Sequence, residues 1–301
     1  MSLGSLALRF RQKFGHGLRV AYWRDVVRPR ILQTRAISDT SDPACEIHVM
    51  TSKSDWLNLM WALKSFYWAS KKAYSLCIHD DGSLDAESLA VLERHFPAAR
   101  IVRRAEADER IRKALAGFPR SLDFRLTNLL APKVFDFALY LNSKRMLLLD
   151  SDILFFNTPR ELLDAADCGD DVNTFNPDFD SAYTVTSEAV RSSTSVQLQP
   201  RINSGLGIVH AQSLSFEWIE EFLQIPGILS GHFWRIEQTI YALCSSRFGV
   251  KLLSDEYQVR LTPGIGCSPC RHYVGAIRHW MYSEGMRTLV KKGMLEELGA
   301  C

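Results

Sequence analysis

Nowhere does the chain carry an apolar run approaching the roughly 20 residues of a membrane-spanning helix. It also lacks the uninterrupted apolar core of a secretory signal, because basic residues break every short apolar run between Leu6 and Leu32. Both absences point to the cytoplasm. Charge of neither sign is in excess: the 301 residues carry a net +2, which gives no argument for nucleic acid or a strongly acidic ligand. The seven cysteines are odd in number and scattered, which fits a reducing compartment better than a disulfide framework. Cys267 and Cys270 form a C-x-x-C pair, but the second pair that a structural zinc site wants is missing, so they read as two unrelated thiols in a Gly/Pro-rich loop. Internal repeats are absent, and so is any glycine between Met50 and Trp56.

What charge there is lies unevenly. Residues 1–36 carry Arg9, Arg11, Lys13, Arg19, Arg24, Arg28, Arg30 and Arg35 against the single acid Asp25. Two readings of this segment stand: peripheral contact with an anionic membrane, each Lys or Arg near the surface contributing about 1 kcal/mol, or a solvated, partly helical extension. Composition changes at residues 38–43, S-D-T-S-D-P, which divides the chain into a basic N-terminal extension, 1–40, and one main domain, 41–301. From there the pattern alternates. Residues 46–50 read as a strand, followed by a helix with Ser54 or Asp55 as N-cap and Trp56, Met60, Leu63 and Tyr67 at helical spacing. A strand at 74–78 ends in a turn-like His79-Asp80-Asp81-Gly82, and a helix at 86–96 leads to a strand at 100–102. Residues 131–141 are helical, and Met146-Leu147-Leu148-Leu149 has the continuous apolar character of a buried central strand. Polar residues dominate 167–200, which predicts a surface loop; a strand at 207–210 and helices at 215–223 and 235–244 follow. The fold class is α/β, a mostly parallel sheet flanked by helices, with its active site at the carboxyl ends of the strands.

The strongest chemical feature is Asp150-Ser151-Asp152 at the end of that central strand. Side chains two apart in extended chain share a face, and two carboxylates beside apolar neighbours are costly unless a cation compensates them. Hard oxygen ligands favour Mg²⁺, Mn²⁺ or Ca²⁺. An EF-hand loop fails because Leu154 and Phe155 occupy positions that need an oxygen ligand and a turn glycine. A haloacid-dehalogenase-type phosphotransferase also begins with D-x-D, with Gly169-Asp170-Asp171 as its last acidic motif. The two lie fewer than twenty residues apart here, too close for the intervening strand and helix units. A bland strand-end turn remains the alternative.

A second element, His272-Tyr273-Val274-Gly275-Ala276-Ile277-Arg278-His279-Trp280, sets an imidazole, a glycine and a cation at regular spacing, a candidate metal ligand beside a phosphate clamp. Here the chain resembles glycosyltransferase family 8 and its relatives, enzymes of the GT-A type whose C-terminal motif is H-x-x-G-x-x-K-P-W. The resemblance spans about residues 46–280 and implies a Rossmann-like GT-A catalytic domain over 41–301. It implies that Asp150, Asp152 and His272 hold the metal, and that Arg278 stands where the family's lysine meets the donor diphosphate, near Gly275 and Ser151. Arg for Lys keeps the charge but presents a planar fork, and His279 replaces the family's proline. Asn203-Ser204-Gly205 resembles the family's N-[AS]-G segment, which implies Asn203 and Gly205 at the donor sugar. Glu237-Gln238-Thr239 resembles the acid-glutamine-acid segment of the sugar pocket, with Thr239 departing from it, and Lys133 resembles a basic residue common before the D-x-D strand. At the first strand the family carries paired acids for the nucleotide. This chain has Thr51-Ser52-Lys53-Ser54-Asp55, which leaves Thr51 and Asp55 as the candidates there.

What the resemblance implies is transfer of a sugar from a nucleoside-diphosphate sugar, UDP-sugar first, to a glycan, lipid or small-molecule acceptor, with Mn²⁺ or Mg²⁺ as cofactor and retention of configuration. Gln238 would then position the sugar, whereas an inverting enzyme would need a base, for which Glu237 is the first candidate. A nucleotide sugar is the expected partner and nucleic acid is not. Two alternatives stand: a catalytically silent nucleotide-sugar-binding relative, and a sugar-1-phosphate nucleotidyltransferase, whose glycine-rich loop after the first strand is what residues 50–56 lack.

Overall fold

Short apolar runs alternating with helix-length segments assemble into one sheet with a core on each face. The structure, a computed structural model, describes residues 14–167 and 171–299; Arg9, Arg11 and Lys13 of the basic segment, and Gly169 and Asp170, lie outside it. Seven strands are β1 (Asp42–Thr51), β2 (Tyr74–Asp80), β3 (Arg100–Val102), β4 (Arg145–Leu149), β6 (Asn173–Pro177), β7 (Ile202–His210) and β8 (Val250–Leu252), in the order β3-β2-β1-β4-β7-β6-β8. All the pairings from β3 to β4 are parallel, as is β6 with β8, and β7 alone runs against its neighbours. A separate ribbon pairs β5 (Ile153–Phe155) antiparallel with β9 (Cys270–His272).

Alternation along β4 divides the interior. Leu147 and Leu149 join Ile47 and Val49 in a core with the helix Trp56–Ser70, whereas Met146 and Leu148 join Phe137 and Tyr241 on the other face, under the helices Ala131–Tyr140 and Phe233–Phe248. This is the mostly parallel α/β sheet flanked by helices that the alternation predicts.

Three local expectations differ. The stretch 167–200 contains β6 and a helix, Ser187–Ser193, rather than loop alone. Polar composition misleads there because Asn173 is wholly buried with its amide satisfied: its Nδ2 donates to Ser213 and Ser245 Oγ, both at 2.9 Å, and its Oδ1 accepts from His210 N–H. The strand read at 207–210 begins at Ile202, so the N-S-G segment lies within β7. Asp55 occupies the N-cap position of the helix Trp56–Ser70, yet its carboxylate caps nothing and turns to other side chains.

The helical turns Leu18–Tyr22, Trp23–Val27 and Arg28–Gln33 lie against the main core, with Ile31 fully buried. Several of the segment's cations meet the body: Arg19 donates to Ser283 O, Arg35 to Glu297 O, and Arg28 to Asn58 while its guanidinium stacks 5.4 Å from the Tyr282 ring centre. Among the described residues no helix is long and apolar enough to cross a membrane.

Under this segment lies Lys64, fully buried, its ammonium 2.5 Å from Arg35 O and 5.7 Å from the Phe96 ring centre. Burial pulls its pKa from 10.5 down to about 7. Between those values the folded chain binds fewer protons than the unfolded chain, so stability rises with pH across that window. Lys64→Met removes the linkage. The variant-minus-wild-type stability should therefore fall by on the order of 2–4 kcal/mol between pH 7 and pH 10, whatever its sign at either end. Urea titrations at both pH values check it, and an unchanged difference would place the ammonium in water.

Candidate active site

The peptide after β4 turns sharply, and Asp150 N–H donates to Gly205 O at 2.8 Å, which ties the D-x-D turn to β7. β5 leaves the turn and pairs with β9 so that Ile153 faces His272, and Tyr273 N–H donates to Asp152 O at 2.9 Å. The ribbon thereby sets an imidazole from residue 272 against carboxylates from residues 150 and 152. His272 Nε2 lies 3.0 Å from Asp152 Oδ1 and 3.8 Å from Asp150 Oδ2. The other oxygen of each carboxylate is taken by a cation: Lys133 Nζ is 2.8 Å from Asp150 Oδ1, and Arg278 Nη2 is 2.6 Å from Asp152 Oδ2. Each acid thus turns one oxygen to a fixed cation and one to the imidazole.

The tautomer of His272 follows from its neighbours. Asn203 Oδ1 accepts from Gly205 N–H at 3.0 Å, and its Nδ2 donates to Asp178 Oδ2 at 3.0 Å, so the amide is oriented. His272 Nδ1, 3.0 Å from that Oδ1, must therefore carry a hydrogen, and Nε2 is the atom aimed between the carboxylates. Burial opposes an imidazolium there, but Asp152, then Asp150 and Asp178, outweigh it and raise the His272 pKa. Burial likewise works against the Asp152 carboxylate, yet His272 and Arg278 hold it well below the usual range. Three donor atoms, two oxygens and a nitrogen, so converge, with Asp150 about one-third exposed and Asp152 and His272 buried. Carboxylates with one imidazole suit Mn²⁺ or Mg²⁺, and Asn203 fixes the imidazole as outer-sphere partners of metal ligands do.

Beneath the carboxylates, Lys133 also reaches Ser204 O at 3.1 Å and Glu237 Oε1 at 3.1 Å. Burial disfavours its ammonium, but Asp150 and Glu237 more than restore it and raise its pKa. Glu237 is 1% exposed, accepts from Ser204 Oγ at 2.8 Å, and is pushed by burial up to about 7. It therefore sits under the site rather than in the opening. Gln238, also buried, lies near Asp178 and Ser204 at 3.4 Å each. Thr239 Oγ1 accepts from Thr184 N–H, so it anchors the neighbouring loop.

At the end of β1, Thr51 Oγ1 is buried without a hydrogen-bond partner among the described residues. Asp55 accepts from Ser151 Oγ at 2.6 Å and Asn58 Nδ2 at 2.8 Å, and lies 3.5 Å from Arg278 Nη1. Ser151 is thus turned toward Asp55. Gly275 opens a short 3₁₀ turn, and a Cβ there would meet nothing within 4 Å. Sequence reading missed Asp178, which orients Asn203; its only signal was Asn176-Pro177-Asp178, a polar triplet in a stretch read as loop.

Gly205 has a steric reason to be glycine: a Cβ on it would lie 2.3 Å from His272 Cε1 and 2.9 Å from Asn203 Oδ1. Gly205→Ala should displace His272, weakening Mn²⁺ binding by about tenfold or more, whereas Gly275→Ala should leave it unchanged. Electron paramagnetic resonance of free Mn²⁺ measures both. Equal affinities in wild type and Gly205→Ala would remove His272 from the ligand set.

No family model matches the sequence, and no curated protein matches it. Solved structures do resemble it. The galactosyltransferase LgtC, in complex with donor and acceptor sugar analogues, superposes with a TM-score of 0.57 at 15% identity, covering 85% of this chain and 97% of that one. Mouse xyloside xylosyltransferase 1 gives 0.51 at 13% identity over 77% of this chain and 98% of its own. The bifunctional glycosyltransferase WbbM gives 0.53 at 12% identity over 87% of this chain and 52% of its own. At such identities the likeness is one of architecture, and the chain has the GT-A glycosyltransferase fold, the fold that its resemblance to glycosyltransferase family 8 implies.

Proposed function

We propose that this protein is a divalent-metal-dependent glycosyltransferase that moves a sugar from a nucleoside-diphosphate sugar, UDP-sugar first, to an acceptor with retention of configuration. The observation that carries this reading is the convergence of Asp150 Oδ2, Asp152 Oδ1 and His272 Nε2 at the carboxyl end of the central strand of a GT-A fold. Asp150, Asp152 and His272 would hold the ion, Mn²⁺ by preference because one donor is an imidazole. When bound, such an ion supplies Lewis-acid stabilisation of the charge that builds on a departing diphosphate.

The chain's own groups do the rest. Arg278 spends Nη2 on Asp152, and its Nε has no partner among the described residues, which leaves donors for a diphosphate oxygen. Thr51, with its unpaired hydroxyl, and the Asp55–Ser151 pair border the space for the nucleoside, and Gly275 leaves its backbone open to the phosphates. Asn203 and Gly205 lie at the sugar side, where Gln238 orients the donor. Lys133 and Glu237 are positioning residues: Lys133 fixes Asp150, and Glu237 fixes Lys133. With Glu237 closed beneath the site, an acceptor hydroxyl attacking on the face that the diphosphate leaves needs no base from it, which favours retention. We place the protein in the cytoplasm.

Thermal unfolding with UDP, GDP, UDP-glucose and UDP-galactose, each with and without Mn²⁺, tests the donor site. A nucleotide at about 100 times its Kd should add about 2.7 kcal/mol, raising Tm by roughly 5 °C, and the rise should need both Mn²⁺ and Asp152, vanishing in Asp152→Asn. A folded protein that no nucleotide stabilises would sink the transferase reading. Release of free sugar from the stabilising donor should fall by about 100-fold or more in Asp152→Asn.

A further inference from the structure

On the sheet face opposite the Trp56–Ser70 helix lies a second group of ligand-type side chains, unrelated to the D-x-D turn. In the parallel register of β1 with β2, His48 stands beside Cys77, and His79, two residues on, shares the face of Cys77. The three are completely or nearly completely buried. His48 Nδ1 is 3.1 Å from His79 Nε2, and Cys77 Sγ is 3.3 Å from that same Nε2; all three ligand atoms lie within 4.8 Å of one another. Phe137 closes the layer, its ring centre 5.3 Å from His48 and 4.5 Å from His79, and Tyr140 stands 5.8 Å from His79.

Hydrogen bonding alone serves this cluster poorly. With its hydrogen on Nε2, which lies 3.2 Å from Glu46 Oε2 but outside hydrogen-bonding alignment, His48 presents Nδ1 as a bare lone pair. His79 Nε2 then faces that lone pair and the Cys77 sulfur with at most one hydrogen to give. If it gives that hydrogen to His48, the thiol has no acceptor there; if it accepts from the thiol, two nitrogen lone pairs oppose each other at 3.1 Å. A single cation satisfies all three atoms at once. Around a tetrahedral ion with nitrogens at 2.0–2.1 Å, ligand nitrogens stand about 3.4 Å apart, within a few tenths of an ångström of the 3.1 Å between His48 Nδ1 and His79 Nε2. Glu46 behind His48 is the carboxylate–histidine arrangement that orients metal-bound imidazoles, and Glu46 is itself fixed by Arg100 Nη2 at 2.6 Å and Asn142 N–H at 2.7 Å.

We propose that His48, Cys77 and His79 form a buried transition-metal site that staples β1 to β2 and takes a soft or borderline d¹⁰ ion, Zn²⁺ or Cu⁺. Two imidazoles and a sulfur, with no oxygen among the three, select against Mg²⁺ and Mn²⁺, so this site and the D-x-D site sort different metals. Binding replaces the Cys77 thiol proton, which leaves to solvent, with a metal–sulfur bond. The site has no solvent access in the folded chain, and the ion enters as the sheet assembles.

The test uses the full chain carrying Asp152→Ala, which disables the D-x-D site. The protein is expressed in medium supplemented with zinc or with copper and assayed for metal. It is also refolded from denaturant with Co²⁺ and scanned for a thiolate-to-cobalt charge-transfer band in the near ultraviolet. Retention of about one equivalent of Zn²⁺ or Cu⁺ per chain, with a cobalt band that Cys77→Ser abolishes, is the expected result, and the retained element identifies the ion. Neither retained metal nor a cobalt band in the Asp152→Ala protein overturns the proposal and leaves a thiol–imidazole hydrogen-bond chain. So does a band that survives Cys77→Ser, which would assign it to another thiol such as the exposed Cys267. If Cys77→Ser does not fold, His79→Gln decides the assignment: a band that it shifts or abolishes supports the buried site, and one that it leaves unchanged overturns it.

Discussion

A buried ammonium holds the carboxyl end of this sheet's central strand together. Removing a lysine from water costs several kcal/mol unless opposite charge and hydrogen bonds replace the lost hydration. Lys133 recovers that cost only by meeting Asp150, Glu237 and Ser204 O together. Those partners come from the turn after β4, the helix Phe233–Phe248 and β7, and Lys133 itself from the helix Ala131–Tyr140. Four elements must therefore arrive in register for the ammonium to be satisfied. Tyr241 OH donates to Lys133 O at 2.5 Å, closing the same junction from the backbone side. The geometry of Asp150 is a consequence: with Oδ1 committed inward, Oδ2 is the oxygen left facing His272.

The helix that carries Lys133 is fixed from its other side as well. Arg125, fully buried, grips Asp136 through two bonds of 2.6 Å and Asp108 through one of 2.9 Å. Such a bidentate pair fixes orientation as well as distance. One face of the helix then presents Lys133 to the carboxylates, while Phe137 and Tyr140 lie over the His48–Cys77–His79 cluster. Two ligand groups of different chemistry are thus set by one rigid element. His272, by contrast, is delivered by the β5–β9 ribbon and can approach only because residue 205 has no Cβ.

How much of this the sequence disclosed depends on whether the signal was local. The strand Met146-Leu147-Leu148-Leu149 and its D-x-D were legible because burial on both faces demands a continuous apolar run, and His272, Gly275 and Arg278 because a spaced motif survives in linear order. Ser151 was legible as a position, but its direction was not, since that depends on Asp55 arriving from ninety-six residues away. Asp55 itself looked like a helix cap because an acid before an apolar periodic run is one by default; tertiary partners took its carboxylate instead. β6 was hidden by its own polarity, since a buried asparagine with every hydrogen bond made has the composition of a loop. The cluster of His48, Cys77 and His79 was beyond reach because it exists only through the register of two strands, and a one-residue slip would send His48 to the other face.

The same dependence on long-range register explains why so much of the site is built two layers deep. Arg28, from the basic segment, donates to Asn58 Oδ1 at 3.1 Å; Asn58 donates to Asp55; and Asp55 meets both Ser151 and Arg278. Each acid near the opening is thereby matched to a donor that some other element supplies, and none of the side chains in that series is free to turn. Asp150, Asp152, Asp55 and Asp178 are four carboxylates within one neighbourhood, against Lys133 and Arg278 as the cations that touch them at the site. Like charges this close are costly without compensation, and the fixed donors compensate every oxygen except those turned toward His272. Rigid outer partners and uncompensated inner oxygens together make the centre of the cluster the place where a mobile cation lowers the energy most. The scaffold therefore leaves its least compensated oxygens at the centre, facing His272, where the proposed metal ion would supply positive charge.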